Sequence, residues 1–233
     1  MPVLNNLPLG LTFDEVIKYH GLRCRGLIRP GTVDLLQSII DDMESGSYLK
    51  PEIAYSIIPL DQIKDGHLHL ANHNALPAPI AAHRLKKASH ILIGVCTLGH
   101  QIGRIISQSF HNRKKLYAIL MEELANHALF KLSGLLQKQA ERDAADLGLT
   151  ASGRLSPGDE GFGLSSQTQI VEMAGALAID IDVNGAQMMS PRHSISMIFG
   201  LGRNMPKWTE AQTCENCRSH DRCHHRIAMK GMV

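Results

Sequence analysis

Aromatic residues are scarce in this 233-residue chain: Phe, Trp and Tyr make up 4% of it, and Trp208 is the single tryptophan. So few rings leave little on which to stack exposed bases, which argues against a single-stranded nucleic-acid platform. Charge of one sign is lacking too. Twenty-four Lys and Arg stand against 22 Asp and Glu, a formal net charge of +2, without the basic excess that phosphate backbones demand. No apolar run reaches the ~18 residues of a membrane span. Met1 to Gly10 has no basic head before an apolar stretch, so no secretory signal is expected. The five cysteines are an odd number, which does not make a disulfide framework. Reduced thiols in a cytoplasmic protein are the expectation.

What is present is globular: 44% hydrophobic and 20% charged residues, in a chain long enough for one fair-sized domain or two small ones. Thr12 with Glu15 three residues on is the reciprocal cap that opens a helix over 13–20, with Gly21 as its stop. Leu35, Leu36, Ile39, Ile40 and Met43 predict a second helix ending near Gly46. Ile53, Tyr55 and Ile57 alternate as a strand between Pro51 and Pro59. Short strands and turns follow over 61–80, then a helix from Ala81 to Ala88. His90–Cys96 reads as a buried strand, and Thr97-Leu98-Gly99 turns into a helix carrying Ile102, Ile105 and Ile106. Lys115 to Leu147 is the strongest helical pattern, with Leu116, Ile119, Leu120, Leu124, Ala128, Leu132 and Leu135 on one stripe, ending at Gly148. Ser166 and Gln169 then cap a helix running through Ile170, Met173, Ala174 and Leu177. Val183–Met189 and His193–Leu201 read as two closing strands. With no internal repeat, these elements make one α+β domain over 1–205, followed by a Cys/His-rich tail over 206–233.

Between the long helix and the next lies a stretch rich in Gly, Ser and Pro. Its Arg154-Leu155-Ser156-Pro157-Gly158 segment places a planar cation beside backbone that a ligand can approach closely. Spacing alone favours an ordinary irregular connection. Arg154 to Gly158, followed by Phe162, Leu164, Ser165 and Gln167, resembles the Arg-x-x-Pro-Gly loop of the activation domain of cobalamin-dependent methionine synthase. Met188-Met189-Ser190-Pro191-Arg192-His193-Ser194-Ile195-Ser196 resembles that family's Met-Ser-Pro-x-x-Ser-Val-Ser segment. The Thr97-Leu98-Gly99 turn and the order of elements over 12–202 agree with it.

The resemblance implies a single mixed domain, an antiparallel twisted sheet with flanking helices, that binds S-adenosylmethionine (AdoMet) and rescues an oxidised corrinoid by reductive methylation. It assigns Arg154 to the methionine carboxylate and Ser156, Pro157 and Gly158 to the loop facing the ligand. Asp159 replaces the family's tyrosine, Glu160-Gly161 replaces Gly-Asp, and Asn184-Gly185-Ala186-Gln187 replaces Thr-Glu-Ser-Phe. Asp159 and Glu160 then either supply negative charge to the sulfonium or mark a module that docks on or senses a corrinoid protein without AdoMet. The chain has no room for domains that bind homocysteine, folate or cobalamin. The implied partners are therefore a separate corrinoid methyltransferase protein carrying cobalamin and an electron donor, with no nucleic acid and no membrane.

Cys214, Cys217 and Cys223 form a Cys-x-x-Cys-x5-Cys spacing near His220, His224 and His225, similar to the tail of stand-alone family members. Three thiolates so spaced suit Zn²⁺ or an Fe–S cluster; free thiols are the alternative. Among the 13 histidines, His67 and His69 share a strand face, and Glu123 and His127 lie one helical turn apart as a structural pair.

Overall fold

The computed structural model describes residues 1–20, 30–45, 48–159, 161–209 and 212. The stops expected at Gly21 and Gly46, Glu160, Cys24 and the three tail cysteines lie outside them.

The frame is a seven-stranded antiparallel sheet. Its strands are β1 (Val3–Leu4), β2 (Glu52–Lys64), β3 (His67–Leu70), β4 (Ala75–Pro77), β5 (Ala88–Thr97), β6 (Thr150–Ala151) and β9 (Ser194–Gly202). They run in the order β4-β3-β2-β5-β9-β6, with β1 on β2. A separate hairpin joins β7 (Asp182–Val183) to β8 (Met189–Ser190). Helices cover both faces. On one side lie α1 (Phe13–His20), α2 (Pro30–Glu44), α4 (His100–His111) and α5 (Lys115–Asp146); on the other α3 (Pro79–Arg84), α6 (Gln167–Ala174) and a 3₁₀ turn over Ala176–Ile179. This is the expected α+β class.

Alternation along the central strands explains the two layers. On β5, Leu92 and Cys96 enter the core beneath α5, whereas Ile91, Ile93 and Val95 enter the core beneath α6. Met197 and Phe199 of β9 join the first core and Ile198 the second. Gly94 lets the long helix settle on the sheet: a Cβ there would stand 2.6 Å from Leu136 Cδ2 and 3.3 Å from Tyr55 Cβ. Among the described residues, no helix is long and apolar enough to cross a membrane.

Several boundaries differ from the sequence reading. The strand entering near Pro51 continues through Pro59 to Lys64, because Pro59 still accepts a bond at its carbonyl from Ala71 N–H (3.0 Å) and the pairing with β3 is irregular just beyond it. The helix expected over 81–88 sits at Pro79–Arg84, since Ala88 already pairs with Gly202. The α5 stripe holds at Leu120, Leu124, Ala128 and Leu132, which are buried, but not at Leu116 and Ile119, which are 42% exposed; Met121, Ala125, Leu136, Ala140 and Ala144 are buried beside it. The helix after Ser166 stops at Ala174, where Gly175 turns left-handed (φ 70°). Ser166 makes no side-chain cap; its hydroxyl donates to the Pro77 carbonyl instead. The single strand expected over Val183–Met189 is instead the hairpin of β7 and β8, with Val183 and Met189 paired, because Asn184 Oδ1 accepts the Ala186 and Met188 N–H groups at 2.9 and 3.0 Å and turns the chain back.

Candidate functional site

The glycine-rich connection is fixed to the sheet edge at several points. Gly148 (φ 68°) ends α5, and β6 then pairs with the end of β9. Leu155 exchanges two backbone bonds with Ile198, of 3.0 and 2.8 Å. From the other side, Trp208 Nε1 donates to the Arg154 carbonyl (3.0 Å), and the Arg84 guanidinium lies 5.4 Å from the indole. The indole occupies the space a side chain at Gly153 would need.

Beyond Leu155 the chain folds on itself. Asp159 accepts the Ser156 N–H at its carboxylate (2.8 Å), and its own N–H donates to the Ser156 carbonyl. Gly158 N–H donates to the Phe162 carbonyl (2.7 Å), with Gly158 at φ 100°, where a side chain would be strained. Phe162 is buried and anchors the turn in the core beneath α6. Desolvation raises the Asp159 pKa, opposed by the Ser156 N–H and by the charges of Arg154 and Arg84.

The second motif comes alongside. Gln187, held at φ 60°, accepts at Oε1 from both the backbone N–H and the hydroxyl of Thr168, tying the β7–β8 turn to the start of α6. Gln167 Nε2 donates to Ser196 Oγ (2.9 Å), tying α6 to β9. Ser194 Oγ donates to Thr97 Oγ1 (2.9 Å). Between these ties opens a cleft of about 260 Å³, whose walls include Ser156 and Pro157 from the first motif and Met188, Met189, Arg192, Ser194, Ile195 and Ser196 from the second. Leu164 and Met188 are exposed on its rim. The buried Ser156 hydroxyl has no hydrogen-bond partner.

The sequence-predicted loop residues are therefore divided. Ser156 and Pro157 face the cleft. Gly158 forms the turn behind them, and Asp159 spends its carboxylate on the loop's own backbone. Arg154 turns toward α5, donating to Ser133 Oγ (3.2 Å) with its guanidinium 5.6 Å from the Phe130 ring. Sequence reasoning missed Gln167, Gln187, Arg192, Ser194 and Ser196 as cleft residues. The two motifs themselves were the available signal, because a resemblance in both places asks what lies between them.

One ionic cluster backs the cleft. Arg192 Nη2 donates to Glu122 Oε2 of α5, and Glu122 Oε1 lies 3.3 Å from His193 Nε2. The His193 bond holds the Glu122 pKa below its usual value against partial burial, with the charges of His193 and Arg192 adding to it. Elsewhere, burial pushes the Cys96 thiol pKa far up, leaving it an unreactive core group. The His67 and His69 rings lie 6.2 Å apart. Among the described residues, no group of three or more metal-ligating side chains converges. A second, larger groove of about 620 Å³ lies across the fold, lined by Leu7, Tyr48, Lys50 and Gln101 among others.

Comparison with solved structures places this architecture. The chain has the fold of the MetH reactivation domain. It matches a crystal structure of that domain bound to AdoHcy with a TM-score of 0.65 over 99% of this chain and 88% of the other, at 11% sequence identity. No protein-family model and no curated protein sequence matches the chain.

Proposed function

We propose that the cleft between the 154–159 loop and the 184–196 segment binds AdoMet, and that the domain presents its methyl group to a corrinoid carried on a separate protein. The observation that carries this reading is the convergence of two distant motifs, both resembling the methionine synthase activation domain, on one cleft. The shared fold with a domain crystallised with AdoHcy supports it. The lining suits such a ligand: an orphaned buried hydroxyl at Ser156, apolar walls from Pro157, Met189 and Ile195, and polar groups at Gln167, Gln187 and Ser194. At about 260 Å³ the cleft is smaller than the ~300–1,000 Å³ of pockets that enclose a drug-sized ligand. It would seat part of AdoMet and leave the rest exposed, as a donor that must meet a second macromolecule requires.

Bound AdoMet would supply an electrophilic methyl on a sulfonium, so the protein needs no nucleophile of its own. Its residues act by position. The Leu155–Ile198 bonds and the Trp208 bond hold the loop against β9; Gln187 and Gln167 hold the opposite wall. The exposed apolar side chains of Leu164 and Met188 border the opening where a corrinoid would approach. A separate cobalamin protein and an electron donor are the partners this reading requires. The docking or sensing alternative, without AdoMet, keeps one specific observation: Asp159 is spent inside its own loop and does not line the cleft.

Calorimetry decides between them. AdoMet and AdoHcy should bind with comparable affinity, and Ser156→Trp, which adds bulk at the cleft wall, should abolish binding in protein that still shows a cooperative melting transition. No heat at millimolar ligand would overturn the AdoMet reading in favour of the module.

A further inference from the structure

Arg192 is the one charged side chain among the described residues lining the cleft. It occupies the first of the two positions left open in the Met-Ser-Pro-x-x-Ser resemblance, so it is a property of this chain. Its side chain is 51% exposed, yet it is held in place: one terminal nitrogen is bonded to Glu122, and Glu122 is itself braced by His193, which is 3% exposed. A guanidinium has five N–H donors in a rigid fork. With one edge spent on Glu122, the other remains to meet a planar anion entering the cleft. Arg154, the arginine within the loop, directs its guanidinium at Ser133 and Phe130 of α5 and does not line the cleft.

We infer that Arg192 is the specificity-determining residue for the amino-acid end of the ligand, binding its α-carboxylate, while Glu122 and His193 act as positioning residues that hold the guanidinium at the wall. This rests on the AdoMet reading of the cleft. Arg154 then braces the loop from behind. The site discriminates by the carboxylate: nucleoside thioethers that lack it would meet an arginine with no partner.

The test titrates AdoHcy and its decarboxylated analogue, which differ only in that group, into the unaltered protein and into Arg192→Met, Arg192→Lys and Arg154→Ala. A charge-assisted hydrogen bond corresponds to a loss of about 10- to 100-fold in affinity. The unaltered protein should prefer AdoHcy by this factor. Arg192→Met should erase the preference by weakening AdoHcy alone, and Arg192→Lys should retain part of it, since a point charge keeps attraction but loses the fork. Arg154→Ala should weaken both ligands alike. Retention of the preference in a folded Arg192→Met protein, or its selective loss in Arg154→Ala, would overturn the assignment. If the unaltered protein binds neither ligand, the AdoMet reading fails and takes this assignment with it; if it binds both equally, only the carboxylate assignment fails.

Discussion

Gly153→Ala should loosen the cleft from behind without touching any ligand. Gly153 is buried and its φ is outside the left-handed region, so the backbone itself tolerates alanine. The obstacle is the indole: the added Cβ would stand 2.6 Å from three atoms of Trp208. An aromatic ring cannot yield by a small torsion, so Trp208 must shift and the bond from its Nε1 to the Arg154 carbonyl (3.0 Å) is strained or lost. Overpacking costs ~1–3 kcal/mol, and the lost hydrogen bond falls within that range at ~0.5–1.5 kcal/mol. In a domain of this size each kcal/mol lowers the melting temperature by about 2–4 °C, so a fall of roughly 2–12 °C is expected by scanning calorimetry. Trp208→Ala removes the same contact, so the double variant Gly153→Ala/Trp208→Ala should be no less stable than Trp208→Ala alone. Strict additivity of the two changes, or an unchanged melting temperature for Gly153→Ala, would refute the claim that the indole clamps this loop.

Three further outcomes can be measured. Asp159→Asn keeps an acceptor for Ser156 N–H and removes a carboxylate whose pKa burial raises, so it should be neutral or stabilising at pH 7, whereas Asp159→Ala should cost ~1 kcal/mol; urea melts of both variants check this. Because the folded-state pKa of Glu122 is depressed, its ionised form contributes stability above about pH 4.3, and that contribution fades as pH falls through the lower folded value. Glu122→Gln should therefore be less stable than the unaltered protein at pH 7, with the gap closing in melts run progressively below pH 4. For the tail, the sequence predicts that anaerobically purified protein carries zinc or iron, and that Cys217→Ser loses it while the domain's melting transition is kept; metal analysis showing neither element would leave Cys214, Cys217 and Cys223 as free thiols.

The main elements were readable because their signals are local. The Thr12–Glu15 pair opens α1 as expected, with Glu15 N–H on Thr12 Oγ1, and the apolar run over 90–96 lies in the central strand β5. Where the reading failed, a distant partner decided. Pro59 looks like a strand end until β3 folds back against it, and Val183–Met189 looks like a strand until Asn184 caps its own turn. Leu116 and Ile119 fit the helical period of α5, but they are exposed, and Leu136 is among the residues that pack on the sheet, close over Gly94. The cleft divides in the same way. Both motifs were visible in the sequence and both line it, but side-chain direction is not written in spacing, so neither the turning of Arg154 toward Phe130 nor the placement of Arg192 on the wall could be read there.

Hydrogen–deuterium exchange on adding AdoHcy tests the central claim most directly, because it reports where the ligand sits and not only whether it binds. The account predicts slowed exchange confined to the loop around 154–167 and the segment around 184–196, with no change along the groove lined by Leu7, Tyr48 and Lys50. Protection at that larger groove instead, or none at either place with AdoHcy at millimolar concentration, would contradict it.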